Sequence, residues 1–527
     1  MRKVIRSYFL FSLITLPVLT KPAVFLFMTE TFPADFEEFK RDATRGNVVP
    51  VVRTLAADLI TPFGAYLRLA EKSENSFLFE SVEGGEQLAR YSFLGAAPQM
   101  IARGFGNQTI VEQNGVTKIT ESTLTDFLRD YFKNKKLSSR VGLPPFAGGA
   151  VGFFGYGSAR WFEPVFASED FSKETEDACL LFFRSAVAFD HARQQISIIT
   201  LVFTDESDNL PELYENALAE NEKIARTLEQ TAVSLPFSQI GETFPVESNF
   251  RREDFEAGVR QIKEHILAGD CYQAVLSQKF KKRTDAAPEQ IYRALRRLNP
   301  SPYMFLLKIG AKAVVGASPE MLVRCRENKL EYRPIAGTRK RGANEIEDAQ
   351  LAEEMLADEK EVAEHLMLVD LGRNDLGRVA AFGSVKVEKL KTVEKYSHVQ
   401  HIVSFLSAQL SETKDRFDAL ASCFPAGTVT GAPKVRAMQI VNKLEPEPRG
   451  VYSGAVGYVD YAGNLDTCIA IRTLVLENGV ATVQAGAGIV ADSVPELEFE
   501  ETVNKASGVL QAIELAEKAQ TAGKILA

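Results

Sequence analysis

Gln484-Ala485-Gly486-Ala487-Gly488-Ile489-Val490-Ala491 runs without a break into Asp492-Ser493-Val494-Pro495-Glu496-Leu497-Glu498-Phe499-Glu500-Glu501-Thr502. The first eight residues mimic the dinucleotide-binding pattern G-x-G-x-x-A, and those after them open a long helix expected over Glu496 to Ala519. A dinucleotide site also needs a strand to close a β-α-β unit, and an acidic residue about 20 positions on at a strand end. Only one helix follows here, so a nicotinamide or flavin oxidoreductase fails on context. The glycines are expected instead to form a turn that presents backbone N–H groups to an anion.

The helix carries Glu498 and Glu501. A second segment, Lys360-Glu361-Val362-Ala363-Glu364-His365, lies in a helix expected from Asp348 to Asp370 and carries Glu361 and Glu364. Both pairs are spaced i, i+3, which puts their carboxylates on one helical face. Brought together, the two faces offer hard oxygen donors of the kind Mg2+ takes while it keeps water or substrate oxygens in its other positions. A single E-x-x-E is by itself most often a solvated, salt-bridged face. A di-iron carboxylate site needs two E-x-x-H motifs, and neither segment supplies one.

A second glycine-centred turn, F-P-A-G-T-V-T-G-A-P-K from Phe424 to Lys434, leads into a helix expected over Lys434 to Asn442. It is no P-loop, because Pro433 stands between Gly431 and Lys434. Glu320, His398, Tyr452 and Arg472 are scattered candidates for acid, base and anion-binding roles. Taken singly, a histidine near an apolar segment is usually a satisfied core residue and a strand arginine an ion-pair partner. The residues alone support a soluble α/β enzyme with two large domains, a candidate Mg2+ site and an anionic ligand.

The bulk composition agrees. At 527 residues, 45% hydrophobic and 25% charged, the chain has the profile of a globular protein too large for one core. Its 61 Lys and Arg against 70 Asp and Glu give a net charge of −9 with no long basic run, which argues against nucleic acid. An anionic substrate must then be held by local cations, helix N-termini or a metal. The five scattered cysteines form no C-x-x-C pair, so reduced thiols in the cytoplasm are expected. At the N-terminus, Arg2, Lys3 and Arg6 precede an apolar run that resembles a signal peptide, but Lys21 interrupts it below spanning length. Residues 1–27 are expected to be an extension outside the fold, and no membrane partner is expected. Short β-rich runs such as Phe77 to Phe79 and Ile196 to Phe203 fill residues 28–235. A Pro-containing linker covers 236–249. The second half, 250–527, opens with a helix from Arg252 to Leu267 stopped by Gly269.

Seven segments in this order resemble the chorismate-utilising enzymes. They are G-D-C-Y-Q-A-V-L-S-Q-K-F (269–280), V-G-A-S-P-E-M-L-V-R (315–324), R-P-I-A-G-T-R-K-R-G (333–342), D-E-K-E-V-A-E-H-L-M-L-V-D-L-G-R-N-D-L-G-R (358–378), the Phe424 to Lys434 turn, S-G-A-V-G-Y (453–458) and G-A-G-I-V-A-D-S-V-P-E-L-E-F-E-E-T (486–502). The resemblance implies an α/β fold of α+β type, with large, mostly antiparallel sheets, flanking helices and two intertwined domains. It implies a Mg2+ cluster of Glu361, Glu364, Glu498 and Glu501 that grips the ring carboxylate of chorismate. Tyr452, Arg472, Lys505 and the backbone of Gly486, Ala487 and Gly488 would hold the substrate's enolpyruvyl side. Glu320 would protonate the departing C4 hydroxyl, Thr338 would line the same pocket, and His398 would serve the later elimination of pyruvate.

Two positions choose among family members. The water-using isochorismate and salicylate synthases carry a lysine where this chain has Gln273, because water must be deprotonated before it attacks C2, whereas ammonia needs no such base. Aminodeoxychorismate synthases of the common type carry a nucleophilic lysine where this chain has Ala336, and alanine cannot attack. The resemblance therefore implies amination at C2 and release of anthranilate and pyruvate. An aminodeoxychorismate synthase is the alternative. Ammonia would come from glutamine through a separate amidotransferase subunit, in a heterotetramer of two large and two small subunits. Phe77 to Ser81 and Asn299 to Phe305 resemble the feedback site for L-tryptophan, which Glu80, Ser81, Arg90, Pro302, Tyr303 and Met304 would form.

Overall fold

The computed structural model describes residues 30–81, 90–138, 142–166, 176–230, 244–396 and 399–525. The expected N-terminal extension and most of the expected linker lie outside them. Two sheets, of thirteen and twelve strands, are antiparallel in every pairing. Each is spliced from both halves of the chain. In the larger sheet, Asn75–Glu80 from the first half pairs with Tyr303–Ile309 from the second, with Phe77 opposite Leu307 and Phe79 opposite Phe305. In the smaller, Gly149–Phe154 pairs with Ala455–Asp460. Beyond these seams each half contributes its own block of strands.

Strand alternation explains the layers. Phe77, Phe93, Phe305 and Leu307 point between the sheets and join Phe153, Phe182 and Tyr458 in one core. Leu78, Leu94, Met304 and Leu306 point outward, under the helices Pro62–Ala70, Pro288–Leu298 and Pro495–Ile525. Each such buried side chain is worth about 1.5–3 kcal/mol over its exposed state. The Arg252–Leu267 helix starts and stops where its sequence indicates. Glu253 and Asp254 sit at its positive end, Phe255, Val259 and Ile262 bury one face, and Gly269 takes φ 80° just past its end. All five cysteines are free and buried. Among the described residues no helix is long and apolar enough to cross a membrane.

Two expectations need correction. The helix expected over Asp348 to Asp370 is two helices, Glu345–Ala357 and Glu359–Gly377. Asp358 leaves helical geometry (ψ 107°), accepts hydrogen bonds from the N–H groups of Lys360 and Glu361, and pairs with Arg339 at 3.0 Å. A carboxylate in that position is a helix N-cap, and it starts a new helix with Glu361 in the first turn. The glycine run Gly486 to Gly488 is no turn either. It lies inside the strand Val480–Ile489, hydrogen-bonded along Gln273–Arg283. Open sheet backbone is what suits it here, because its glycines leave room above the strand.

The Glu359–Gly377 helix docks through Gly372, where an added Cβ would lie 2.5 Å from the ring of buried Tyr332. Gly372→Ala favours an isolated helix by about 1 kcal/mol. The clash with Tyr332 should outweigh that gain, for a net loss of about 1–3 kcal/mol. The urea midpoint checks this, and a stabilised variant would mean that Tyr332 moves aside freely.

Candidate active site

A cavity of about 230 Å3 opens over the Val480–Ile489 strand. Gly486 and Gly488 form its floor. A Cβ on Gly486 would lie 2.8 Å from the Tyr452 hydroxyl, and one on Gly488 would lie 2.6 Å from Gln273 Nε2. Both glycines are therefore space for a side chain that lies across the strand. Ala487 alternates to the other face, among Phe255 and Val441, and only its backbone can serve the site. Gln273, Glu320, Thr338, Glu364, Tyr452, Arg472 and Lys505, all expected site residues, also stand in the lining. Arg472 is held with φ 51°, in the left-handed region, and its guanidinium donates to Lys505 O at 2.9 Å. A non-glycine residue keeps that backbone only where its surroundings fix it.

The carboxylates meet as expected, in part. Glu364 lines the cavity, Glu361 and Glu501 lie close enough to act on its charge, and Glu501 acts on Glu498. Desolvation, then the charges of Glu361 and Glu501, push the Glu364 carboxyl above its ordinary range. Desolvation and Glu501 do the same to Glu498. Glu361 pairs with Arg339 at 2.9 Å, and Lys505 Nζ bridges Glu501 at 2.6 Å and Gly486 O at 3.1 Å. Among the described residues, no three metal-binding side chains are closed into a cage. The donor set is nevertheless the right one for a hard cation. Glu364 and Glu498 are raised by burial and by neighbouring carboxylates, with Lys505 and Lys360 opposing.

Glu320 is different. It is buried, and desolvation raises it to about 8 against the opposing pulls of a hydrogen bond with Thr428 and of Lys505. It is an acid that keeps its proton at neutral pH.

His398 lies outside the described residues; among those described, the histidine that lines the cavity is His401. A bulge at Gly337 sets Ala336 opposite Ile402 and Thr338 opposite His401, so the second histidine of S-H-V-Q-H faces the site. Its Nδ1 donates to Gly337 O at 2.8 Å, beside Thr338 Oγ1 at 3.1 Å, and burial holds the imidazole below its ordinary pKa. That leaves Nε2 with a lone pair. Sequence reasoning also missed Gln484, which shares the face of Gly486 and Gly488. Period-2 counting back from those glycines would have found it.

A larger cavity, about 750 Å3, lies between the sheets at the seam. Glu80, Ser81, Arg90, Pro302, Tyr303 and Met304 all line it. Two of them are already held by protein partners. Glu80 shares the outward face of Leu78, and its carboxyl accepts from Tyr292 (2.6 Å) and pairs with Arg296 (3.2 Å), both on the Pro288–Leu298 helix. Arg90 is engaged by both carboxylate oxygens of Asp190. Ser81 Oγ is buried without a partner. The lining also carries Arg324 and Arg326, clasped on Asp466 at 2.8 and 2.9 Å. Their i, i+2 spacing in V-R-C-R was the available signal.

The model for chorismate binding enzymes matches residues 74–511 of this sequence. The chain belongs to the chorismate-binding enzyme family. It is 44% identical over 490 residues to anthranilate synthase component 1 of Acetivibrio thermocellus, covering 92% of this chain and 99% of that protein. It is also 44% identical over 492 residues to the protein of that name from Pseudomonas aeruginosa, again 92% and 99%. The crystal structure of anthranilate synthase component I from Streptococcus pneumoniae superposes with a TM-score of 0.71 at 34% identity, over 86% of this chain and 98% of that one. The menaquinone-specific isochorismate synthase from Escherichia coli, at 20% identity and TM-score 0.67 over 91% and 98%, shares the fold.

Glu320 gives a direct test of the site's electrostatics. Because its folded value lies above the ordinary one, it holds its proton from low pH up to about 8 and loses it above. Infrared difference spectra between the native chain and Glu320→Gln should show a protonated carboxyl band at neutral pH that fades through about 8. A carboxylate band already present at neutral pH would contradict it.

Proposed function

We propose that this chain is the chorismate-binding component of an anthranilate synthase, which aminates chorismate at C2 with ammonia and then releases pyruvate. The observation that carries this reading is the pair Gln273 and Ala336 in the cavity lining. The first cannot act as the base that water would need, and the second cannot attack the ring. The nucleophile must arrive as ammonia, supplied from glutamine by a separate amidotransferase subunit. We take the assembly to be a heterotetramer of two large and two small subunits, working in the cytoplasm.

Glu361, Glu364, Glu498 and Glu501 are the residues that would hold Mg2+, in place of their present ion pairs with Arg339 and Lys505. When bound, the metal supplies positive charge against the ring carboxylate of chorismate. Tyr452, Arg472, Lys505 and the strand backbone at Gly486 to Gly488 orient the enolpyruvyl side. Glu320, protonated at neutral pH, gives its proton to the C4 hydroxyl as ammonia adds at C2, so that oxygen leaves as water. His401, neutral with a free Nε2, takes the C2 proton as the enolpyruvyl C–O bond breaks. The released enolpyruvate takes up a proton to become pyruvate, and the ring becomes aromatic anthranilate. Thr338 steadies His401. The role that the resemblance gives to His398, which lies outside the described residues, is assigned here to His401.

For regulation, L-tryptophan is the ligand we assign to the seam cavity. Its indole has apolar walls in Phe79, Phe93 and Phe305, and its charged groups have Ser81, Arg326 and Asp466 within the lining.

Purified chain with chorismate, Mg2+ and ammonium should develop anthranilate fluorescence. Glu361→Gln or Glu498→Gln should lower that rate at least about 100-fold without unfolding the protein. Isochorismate, salicylate or aminodeoxychorismate as product would overturn the reading. Tryptophan should inhibit, and Ser81→Phe should weaken its calorimetric affinity by roughly tenfold or more. Chorismate must weaken tryptophan binding by the same factor that tryptophan weakens chorismate binding. Equal tryptophan affinity in the native and Ser81→Phe chains would place the effector elsewhere.

A further inference from the structure

Arg449 stands behind the smaller cavity, outside its lining, with its side chain 1% exposed. A guanidinium has five N–H donors in one plane, and here each finds an acceptor. Nε and Nη2 fork onto Glu445 at 2.8 and 2.7 Å. Nη2 also donates to Val275 O at 2.7 Å, and Nη1 donates to Val429 O at 2.7 Å and Ser453 Oγ at 3.1 Å. Its plane lies 4.7 Å from the Tyr156 ring centre and 5.6 Å from that of Tyr452.

The acceptors are not scattered. Val275 and Val429 line the cavity, and Ser453 follows Tyr452, which lines it too. The network also reaches a fourth wall segment. Glu445 Oε1 accepts from both the N–H and the hydroxyl of Ser277, at 2.9 and 2.7 Å. With its one proton given to that carboxylate, the Ser277 hydroxyl can only accept from Gln484 Nε2, at 2.8 Å. This fixes which way the Gln484 amide faces. Its Oε1 is left buried and without a partner, on a residue of the cavity lining.

We propose that Arg449 is a positioning residue for the substrate. Through five hydrogen bonds and the Glu445–Ser277–Gln484 relay it fixes four segments of the wall, carrying Val275, Val429, Tyr452 and Gln484, and never touches the substrate itself. This rests on the reading that chorismate occupies the smaller cavity. Arg449 touches neither Glu320 nor His401, and approaches the acid only indirectly, through Val429 beside Thr428, so its loss affects how the substrate is held more than the proton transfers. A planar fork cannot be replaced by the point charge of lysine.

The test uses the full chain with chorismate, Mg2+ and ammonium, following chorismate consumption and product identity separately. Arg449→Lys should raise KM for chorismate by about tenfold or more, with kcat within about twofold of native. Ser277→Ala cuts only the relay to Gln484 and should raise KM by roughly threefold, again with little change in kcat. A merely structural role would lower the active fraction, so apparent kcat and Tm would fall with KM unchanged. That outcome in both variants overturns the proposal. If Arg449→Lys does not fold, Ser277→Ala decides alone, and an unchanged KM there refutes the relay. A product other than anthranilate, with the KM pattern intact, overturns the reaction assigned above and leaves the positioning role standing. No chorismate consumption by the native chain overturns both.

Discussion

Backbone pairing between Asn75–Glu80 and Tyr303–Ile309 is the contact on which the remaining architecture rests. It joins two blocks of strands, one from each half of the chain, into one sheet, and the Gly149–Phe154 pairing with Ala455–Asp460 repeats the arrangement in the other. Neither half has a sheet of its own to close. The larger cavity lies at this seam, so any ligand there contacts both halves at once.

The two cavities share structure as well as a molecule. Strand Met321–Arg326 sends Arg324 and Arg326 into the larger cavity and follows directly on Glu320 in the smaller. Its neighbour Leu465–Ile469 brings Asp466 to the first and runs on to Arg472 in the second. Ile469 N donates to Glu320 O across the pair. A shift of the arginine–aspartate clasp along these strands therefore has a short route to Glu320 and to Arg472. Packed strands move in discrete steps rather than by continuous bending, which is what a two-state response requires.

Much of this was legible in the sequence where the signal is local. The Arg252–Leu267 helix carried its apolar face, its acidic first turn and its stopping glycine in plain view. The i, i+3 carboxylates did share helix faces, and most of the expected lining residues do share one cavity. The failures have one cause, which is that register and burial are settled by distant strands. That His401 faces the site depends on a bulge at Gly337, sixty-odd residues away in the chain. The Gly486 to Gly488 run was expected as a turn because glycine signals turns, yet here it clears space for Tyr452 and Gln273. Glu80 was expected to face a ligand. Alternation with Leu78 turns it to Tyr292 and Arg296, whose helix no local pattern placed there. Asp358, like Gln484 and the Arg324–Arg326 pair, was a miss with a local signal, since an aspartate three residues before Glu361 reads as a cap.

The five buried cysteines have a consequence for handling the protein. Alkylating and oxidising reagents attack the thiolate, and burial pushes Cys325 up to about 11 and Cys423 up to about 12, with Cys179, Cys271 and Cys468 also raised. In the native chain these thiols are protonated and sealed. Cys179 lies in a first-half strand, Cys325 and Cys468 in second-half strands of the same sheet, Cys423 at a helix end and Cys271 beside the Gln273–Arg283 strand. Reagent uptake thus requires the layers to part, and the order in which the thiols become labelled records which layer opens first.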